Sequence, residues 1–231
     1  MNKEEFIKEL KKLEVPVKNI DMLDIYYKYL NEYNKHTNLT SITEEKDVYL
    51  KHFYDSLTIC KTVDLNKFES LLDIGTGAGF PGLVLKIFYP HLKVTLLDSN
   101  GKKIKFLENL SQKLNIEVNI VNERSEDYIK EKRESFDIVT SRAVADLSIL
   151  LELALPFVKK GGYFIPLKGE VTKELNDSQN ALSILKGKII KKEEFFLPIE
   201  NSKRTILLIE KTDKNNIKYP RQFNQIKRKP L

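Results

Sequence analysis

Between Leu71 and Gly82 the chain reads Leu-Leu-Asp-Ile-Gly-Thr-Gly-Ala-Gly-Phe-Pro-Gly, an apolar run closed by a carboxylate and then by closely spaced glycines. Such a segment turns sharply from a strand into a helix. Glycine lets the backbone take left-handed conformations and approach a ligand closely, and the helix start offers free N–H groups. Pro81 suits the first helical turn, where its missing donor costs nothing. Asp98 ends the next apolar run, 19 residues beyond Gly79. In an open α/β sheet that position faces a ribose, and a carboxylate there accepts from both hydroxyls. Gly77 to Gly82 also satisfies the dinucleotide pattern G-x-G-x-x-G, a weak signal alone, so a nicotinamide-dependent oxidoreductase is one reading. The register argues against it. The glycine that closes the strand is Gly75, preceded by Asp73, and a carboxylate there repels a pyrophosphate.

Two cations end later apolar runs. Arg142, in Ser141-Arg142-Ala143, follows the fourth run, where strand ends line a ligand crevice. Its forked guanidinium suits a carboxylate, a phosphate or the acceptors of guanine. Lys168, in Leu167-Lys168-Gly169, follows the fifth run on the same side and suits a substrate phosphate or base. His52, Asp55 and Ser56 share one helical face at i, i+3 and i+4. A hydrolase triad would need a nucleophile elbow, which is absent, so helix packing and loop capping are the expected roles. The single cysteine, Cys60, closes no intrachain disulfide, and His36, His52 and His91 form no metal-ligand pattern. No metal is expected.

These residues need a scaffold. Up to residue 67 the chain reads as helices: Phe6, Ile7, Leu10 and Leu13 form one face, and Met22, Ile25, Tyr26, Tyr29, Leu30 and Tyr33 a second. Thr43 is the expected cap of a third helix, with Glu44 and Glu45 in its first turn. From Ser70 the rhythm changes. Short strand-like runs alternate with the helical stretches Gly82–Phe88, Lys102–Leu114, Leu147–Leu155 and Thr172–Leu185. That alternation predicts βαβ units and a mainly parallel sheet, with the last two runs forming an antiparallel pair at one end. The expected organisation is a helical region over 1–67, an α/β domain over 68–212 and a basic tail over 213–231.

The 231 residues carry a net charge of +6. From Lys211 onward the chain holds seven cations against Asp213 alone, so this stretch carries the whole excess. With Tyr219 and Phe223 interleaved and Pro220 and Pro230 discouraging a long helix, it reads as a mostly irregular arm that either contacts a polyanion or is merely solvated. No run of about 18 apolar residues exists and the N-terminus has no apolar signal region, so no membrane is expected and a reducing cytoplasm is the default.

The Asp73–Gly79 register resembles motif I of the class I S-adenosylmethionine-dependent methyltransferases. Taken with Asn38-Leu39-Thr40, His52 with Asp55-Ser56, Phe80-Pro81-Gly82, Leu96-Leu97-Asp98-Ser99, Lys102-Lys103, Ser141-Arg142-Ala143, Leu167-Lys168-Gly169 and Lys218-Tyr219-Pro220-Arg221, the chain is similar throughout to the 16S ribosomal RNA guanine-N(7) methyltransferases historically called glucose-inhibited division protein B. Two differences are mild. Ala78 stands where some members have proline, and Gln222-Phe223-Asn224-Gln225 replaces the usual glycine-containing stretch. The resemblance implies a Rossmann-like α/β methyltransferase fold with an N-terminal helical extension. It implies S-adenosylmethionine as cofactor and 16S ribosomal RNA or the small ribosomal subunit as partner. Asp73 is then expected at the cofactor's cationic, amino-acid end. Gly75, Gly77, Phe80, Ser125, Glu126 and Arg142 are expected around the cofactor, with Ser125 and Glu126, in the charged loop after the third apolar run, at the adenine. Asp98 joins them on the ribose argument, and Arg142 and Lys168 are expected on the substrate side.

Overall fold

The computed structural model describes residues 1–231. Seven strands form one sheet: β1 (Ser70–Ile74), β2 (Lys93–Leu97), β3 (Asn119–Val121), β4 (Phe136–Arg142), β5 (Val158–Lys168), β6 (Gly187–Phe196) and β7 (Lys203–Lys211). Their order is β3-β2-β1-β4-β5-β7-β6. The first five are parallel, and β7 runs antiparallel between β5 and β6. The expected sheet, with its antiparallel pair at one end, is therefore present.

The order reverses between β1 and β4, which places the ligand crevice beyond the ends of those strands. Register then decides which side chains meet. Ile74 pairs with Leu97, so Gly75 and Asp98 leave the sheet side by side. Arg142 pairs with Leu167, and Lys168 with Thr205. Because β7 is antiparallel, its first residues, including Arg204, lie at the same end as the last residues of β4 and β5.

Each face of the sheet carries its own core. One holds the N-terminal helices Lys3–Lys12 and Ile20–Thr37 with the helices Gly82–Phe88 and Gly101–Leu114. Phe6, Leu10, Leu23, Tyr26 and Leu30 are buried there together with Phe88 and Phe106. Burying each such side chain contributes roughly 1.5–3 kcal/mol. Local signals begin these helices. Asn2 and Glu5 form a reciprocal capping box, and the Asn100 side chain accepts from the amides of Lys102 and Lys103. The opposite core gathers the helices Ser125–Lys132, Leu147–Ala154 and Gln179–Ile184, and includes Tyr219 from the C-terminal segment.

Three local expectations are corrected. Thr43 caps nothing: Glu44 is the N-cap, the helix starts at Glu45, and after Val48 it widens into a π-helix over Tyr49–Tyr54. The stretch Thr172–Leu185 is two helices, broken at Ser178, whose hydroxyl donates to the Glu174 carbonyl at 2.6 Å and competes with the helix ladder. The charged stretch after β3 is a loop only to Arg124. Ser125–Lys132 is helical, with Glu126 and Asp127 favourably placed in its first turn. The C-terminal segment is mostly irregular, as expected, but it is not merely solvated. Lys211 is fully buried, Tyr219 is buried, and Phe223–Arg228 forms a short helix. No helix is long and apolar enough to cross a membrane.

Candidate active site

Two cavities open at the crevice end of the sheet. One, of about 300 Å³, lies between the glycine loop and the loop after β3, with Gly75, Asp98, Arg124, Ser125, Glu126 and Phe223 in its lining. The other, of about 410 Å³, includes Lys51, His52, Asp55, Arg142, Lys168 and Arg204 in its lining. Ala143 lines both. Its φ of +55° turns the chain abruptly after β4, and this single residue stands where the two cavities meet.

The glycine loop is held from below. Gly75 and Thr76 donate to the Leu97 carbonyl at 2.8 and 3.1 Å. Gly75 has a φ of +66°, and a Cβ there would lie 2.6 Å from a Val144 methyl. Asp73 does not reach the cavity, contrary to the sequence expectation. It is fully buried, accepting from the Thr76 hydroxyl at 2.6 Å and the Gly82 amide at 2.8 Å. One carboxylate oxygen locks the loop to the helix it opens, while the other has no partner. Burial pushes this carboxyl up to about 7, against the lowering effect of the Thr76 and Gly82 bonds.

The sign of that shift gives a prediction. Between pH 4 and 7 the folded chain holds a proton on Asp73 that the unfolded chain has released, so stability falls as pH rises through this window. Asp73→Asn, which cannot titrate, should flatten that fall. Urea unfolding at pH 5 and pH 8 checks it: the wild type should lose more stability than the variant over this interval. Parallel losses would rule out the buried proton.

Asp98 is also engaged. One oxygen accepts from the Gly77 amide at 3.0 Å and the other from the Asn100 amide at 2.9 Å, with the Lys103 ammonium 3.7 Å away. Gly77 thus supports the acid that lines the cavity and is not among its lining residues. Phe80 faces the other way. Its ring stacks on His52 at 4.3 Å and Tyr26 at 5.3 Å, with the Arg142 guanidinium 5.3 Å from its centre.

The larger cavity is built around one carboxylate. Asp55, 4% exposed, accepts from Arg142 at 3.1 Å through one oxygen and from Arg204 at 3.0 Å through the other. Arg142 also donates to the Lys51 carbonyl at 2.8 Å and to His52 Nδ1 at 3.1 Å. A guanidinium can only donate, so Nδ1 is the bare nitrogen and Nε2 carries the hydrogen, 2.9 Å from the Thr40 hydroxyl. Burial, and then the adjacent Arg142, push this imidazole down to about 3. His52 is neutral with both nitrogens occupied. Lys168 donates to the Ala145 carbonyl at 2.9 Å and pairs with Glu174 at 2.8 Å.

The structure therefore divides the sequence candidates between two compartments. Gly75, Asp98, Ser125 and Glu126 line the smaller, and Arg142 and Lys168 the larger. Gly77 and Phe80 act behind these walls. The helical trio is split too. Ser56 donates to the His52 carbonyl, whereas His52 and Asp55 line the cavity instead of merely packing or capping. Arg204, Lys51, Arg124 and Phe223 were not singled out as site residues by sequence. Only the basic-aromatic character of the tail hinted at the last.

Comparison with known proteins gives a consistent answer. A family model described as rRNA small subunit methyltransferase G matches residues 19–212. A protein of that description from Lactobacillus acidophilus is 49% identical, with all of both chains covered. One from Bacillus subtilis is 46% identical, covering 100% of this chain and 99% of its own. Solved structures share the fold at low identity. Ribosomal protein L11 methylase from Lactobacillus delbrueckii is 18% identical with a TM-score of 0.52, covering 74% of this chain and 81% of its own. Pyrococcus horikoshii TYW2, solved with MeSAdo, is 15% identical with a TM-score of 0.53, covering 69% and 62%.

Proposed function

The chain belongs to the family of small-subunit ribosomal RNA methyltransferases G, and from that premise we infer that it transfers the methyl group of S-adenosylmethionine to ring nitrogen seven of a guanosine in 16S ribosomal RNA. The observation that carries this reading at the site is the pair of cavities meeting at Ala143. One has the fittings for a nucleoside cofactor, and the other is rich in forked cations.

The smaller cavity fits the cofactor. Asp98 and Glu126 offer acceptors for ribose hydroxyls and the adenine amine, and the bare Gly75 backbone leaves room that a side chain would fill. Bound there, the cofactor supplies an electrophilic methyl group on a sulfonium. The chain's own residues supply position. Guanine N7 has an in-plane lone pair and no proton to lose, so no general base is required. A neutral His52 with both nitrogens occupied agrees with that demand. Arg142, Lys168 and Arg204 present donors to a guanine edge or a flanking phosphate. Asp55 holds two of these cations in fixed directions. Catalysis then consists mainly of aligning the base with the incoming carbon. A ribosomal substrate, with Lys214, Lys218, Lys227, Arg228 and Lys229 on the C-terminal segment, supports the cytoplasm as the place of action.

The test is methyl incorporation into small ribosomal subunits that lack the modification, followed by mapping of the labelled base. Label should appear at one guanosine and block N7. Absence of label, with NADH binding in place of S-adenosylhomocysteine, would make the chain an oxidoreductase instead.

A further inference from the structure

After β7 the chain does not leave the domain. Asn215 donates to the Leu185 carbonyl at 2.6 Å, and Arg133 donates to the Tyr219 carbonyl at 2.6 Å. Arg221 then grips Glu152 three times. Its backbone amide and Nε donate to one oxygen, each at 2.8 Å, and its terminal nitrogen donates to the other at 2.6 Å. Glu152 is fully buried on the leucine-rich helix Leu147–Ala154. A carboxylate buried there is costly unless paired, and pairs of this kind serve best to fix register. The register fixed here is that of the segment just beyond, where Ile226 is fully buried and Phe223 reaches the lining of the smaller cavity. The Arg124 guanidinium lies 5.7 Å from the Phe223 ring centre and steadies it. A solvated tail would need neither a buried countercharge nor an aromatic turned into a cavity.

We propose that residues 219–228 are a strap belonging to the cofactor site, and that Phe223 is the aromatic wall on which the adenine of the cofactor packs. This rests on the assignment of that cavity to S-adenosylmethionine. The ring shares the lining with Ser125 and Glu126, the residues assigned to the adenine, and with the apolar Leu153 and Val144. A flat ring offers a base dispersion and stacking without hydrogen-bond readout. The strap also ends in Lys227 and Arg228, with Lys229 next in the chain, so it joins a polycationic surface to the cofactor's wall.

The experiment is calorimetric titration of the full chain with S-adenosylhomocysteine, using wild type, Phe223→Ala and Phe223→Tyr. Loss of one base–aromatic stack should raise Kd roughly tenfold or more in the alanine variant, while the tyrosine variant stays near wild type. Should the alanine chain fail to fold, Phe223→Leu keeps apolar volume without a ring and should show the same weakening. Wild-type affinity in the alanine or leucine variant overturns the strap alone. A wild-type chain that takes no S-adenosylhomocysteine overturns the cofactor assignment, and the strap with it.

Discussion

Asp55→Ala is expected to reduce methyl transfer at least a hundredfold and to destabilise the fold by roughly 3 kcal/mol. Arg142 and Arg204 both bond this carboxylate, and both are largely withdrawn from water. Without it, two guanidinium groups face each other across the floor of the larger cavity with no countercharge. Removing one partner of a buried ion pair costs far more than the pair itself contributes. The rate effect has a different origin. Each arginine would be free to swing toward solvent, and a misplacement of about 1 Å suffices for a hundredfold loss. Asp55→Asn keeps an acceptor for one arginine and loses the charge, so it should fall between the two. Methyl incorporation and urea unfolding read the two effects separately. An alanine variant with wild-type turnover would remove Asp55 from the positioning of the substrate cations.

Gly75→Asp should abolish the heat of S-adenosylhomocysteine binding while leaving a folded protein. The backbone at φ +66° lies where a residue with a Cβ is strained by roughly 1–2 kcal/mol. The new Cβ would meet the Val144 methyl at 2.6 Å, and Val144 is partly exposed and able to yield. Stability should therefore drop modestly. The rest of the side chain adds bulk and a negative charge to a cavity already lined by Asp98, Glu123 and Glu126. Undiminished binding heat would mean that the nucleoside sits elsewhere.

These residues also mark how far the sequence could be read. Gly75, Asp98 and Arg142 were legible because each closes an apolar run, and strand ends in a βαβ array converge on one edge. The helix Gly82–Phe88 was legible from the alternation of strand-like and helical runs. Asp73 was correctly singled out and wrongly aimed. A carboxylate before a glycine turn looks the same in one dimension whether it faces the ligand or the underside of the loop. Its burial depends on how Gly82 packs against it. Asp55 and Arg204 are 149 residues apart and meet only because β7 inserts antiparallel beside β5. No local pattern encodes that insertion. Arg221 was read as one cation among several because its partner, Glu152, sits in a run of leucines where a single acid draws little notice.

The widened turn at Tyr49–Tyr54 governs more than local geometry. It lies immediately before Asp55 and contains His52, so it sets the azimuth of both side chains. An ordinary α-helix advances about 100° per residue. A substitution that tightened all six residues of Tyr49–Tyr54 to regular pitch, with none removed, would rotate everything downstream by about that angle. Asp55 would then leave its arginines although every residue named in the cavity remained in the chain. Kinship judged by matching letters would be blind to such a lesion. In a relative that takes regular pitch at this point without a compensating gap, an intact inventory of functional groups would not guarantee a working enzyme.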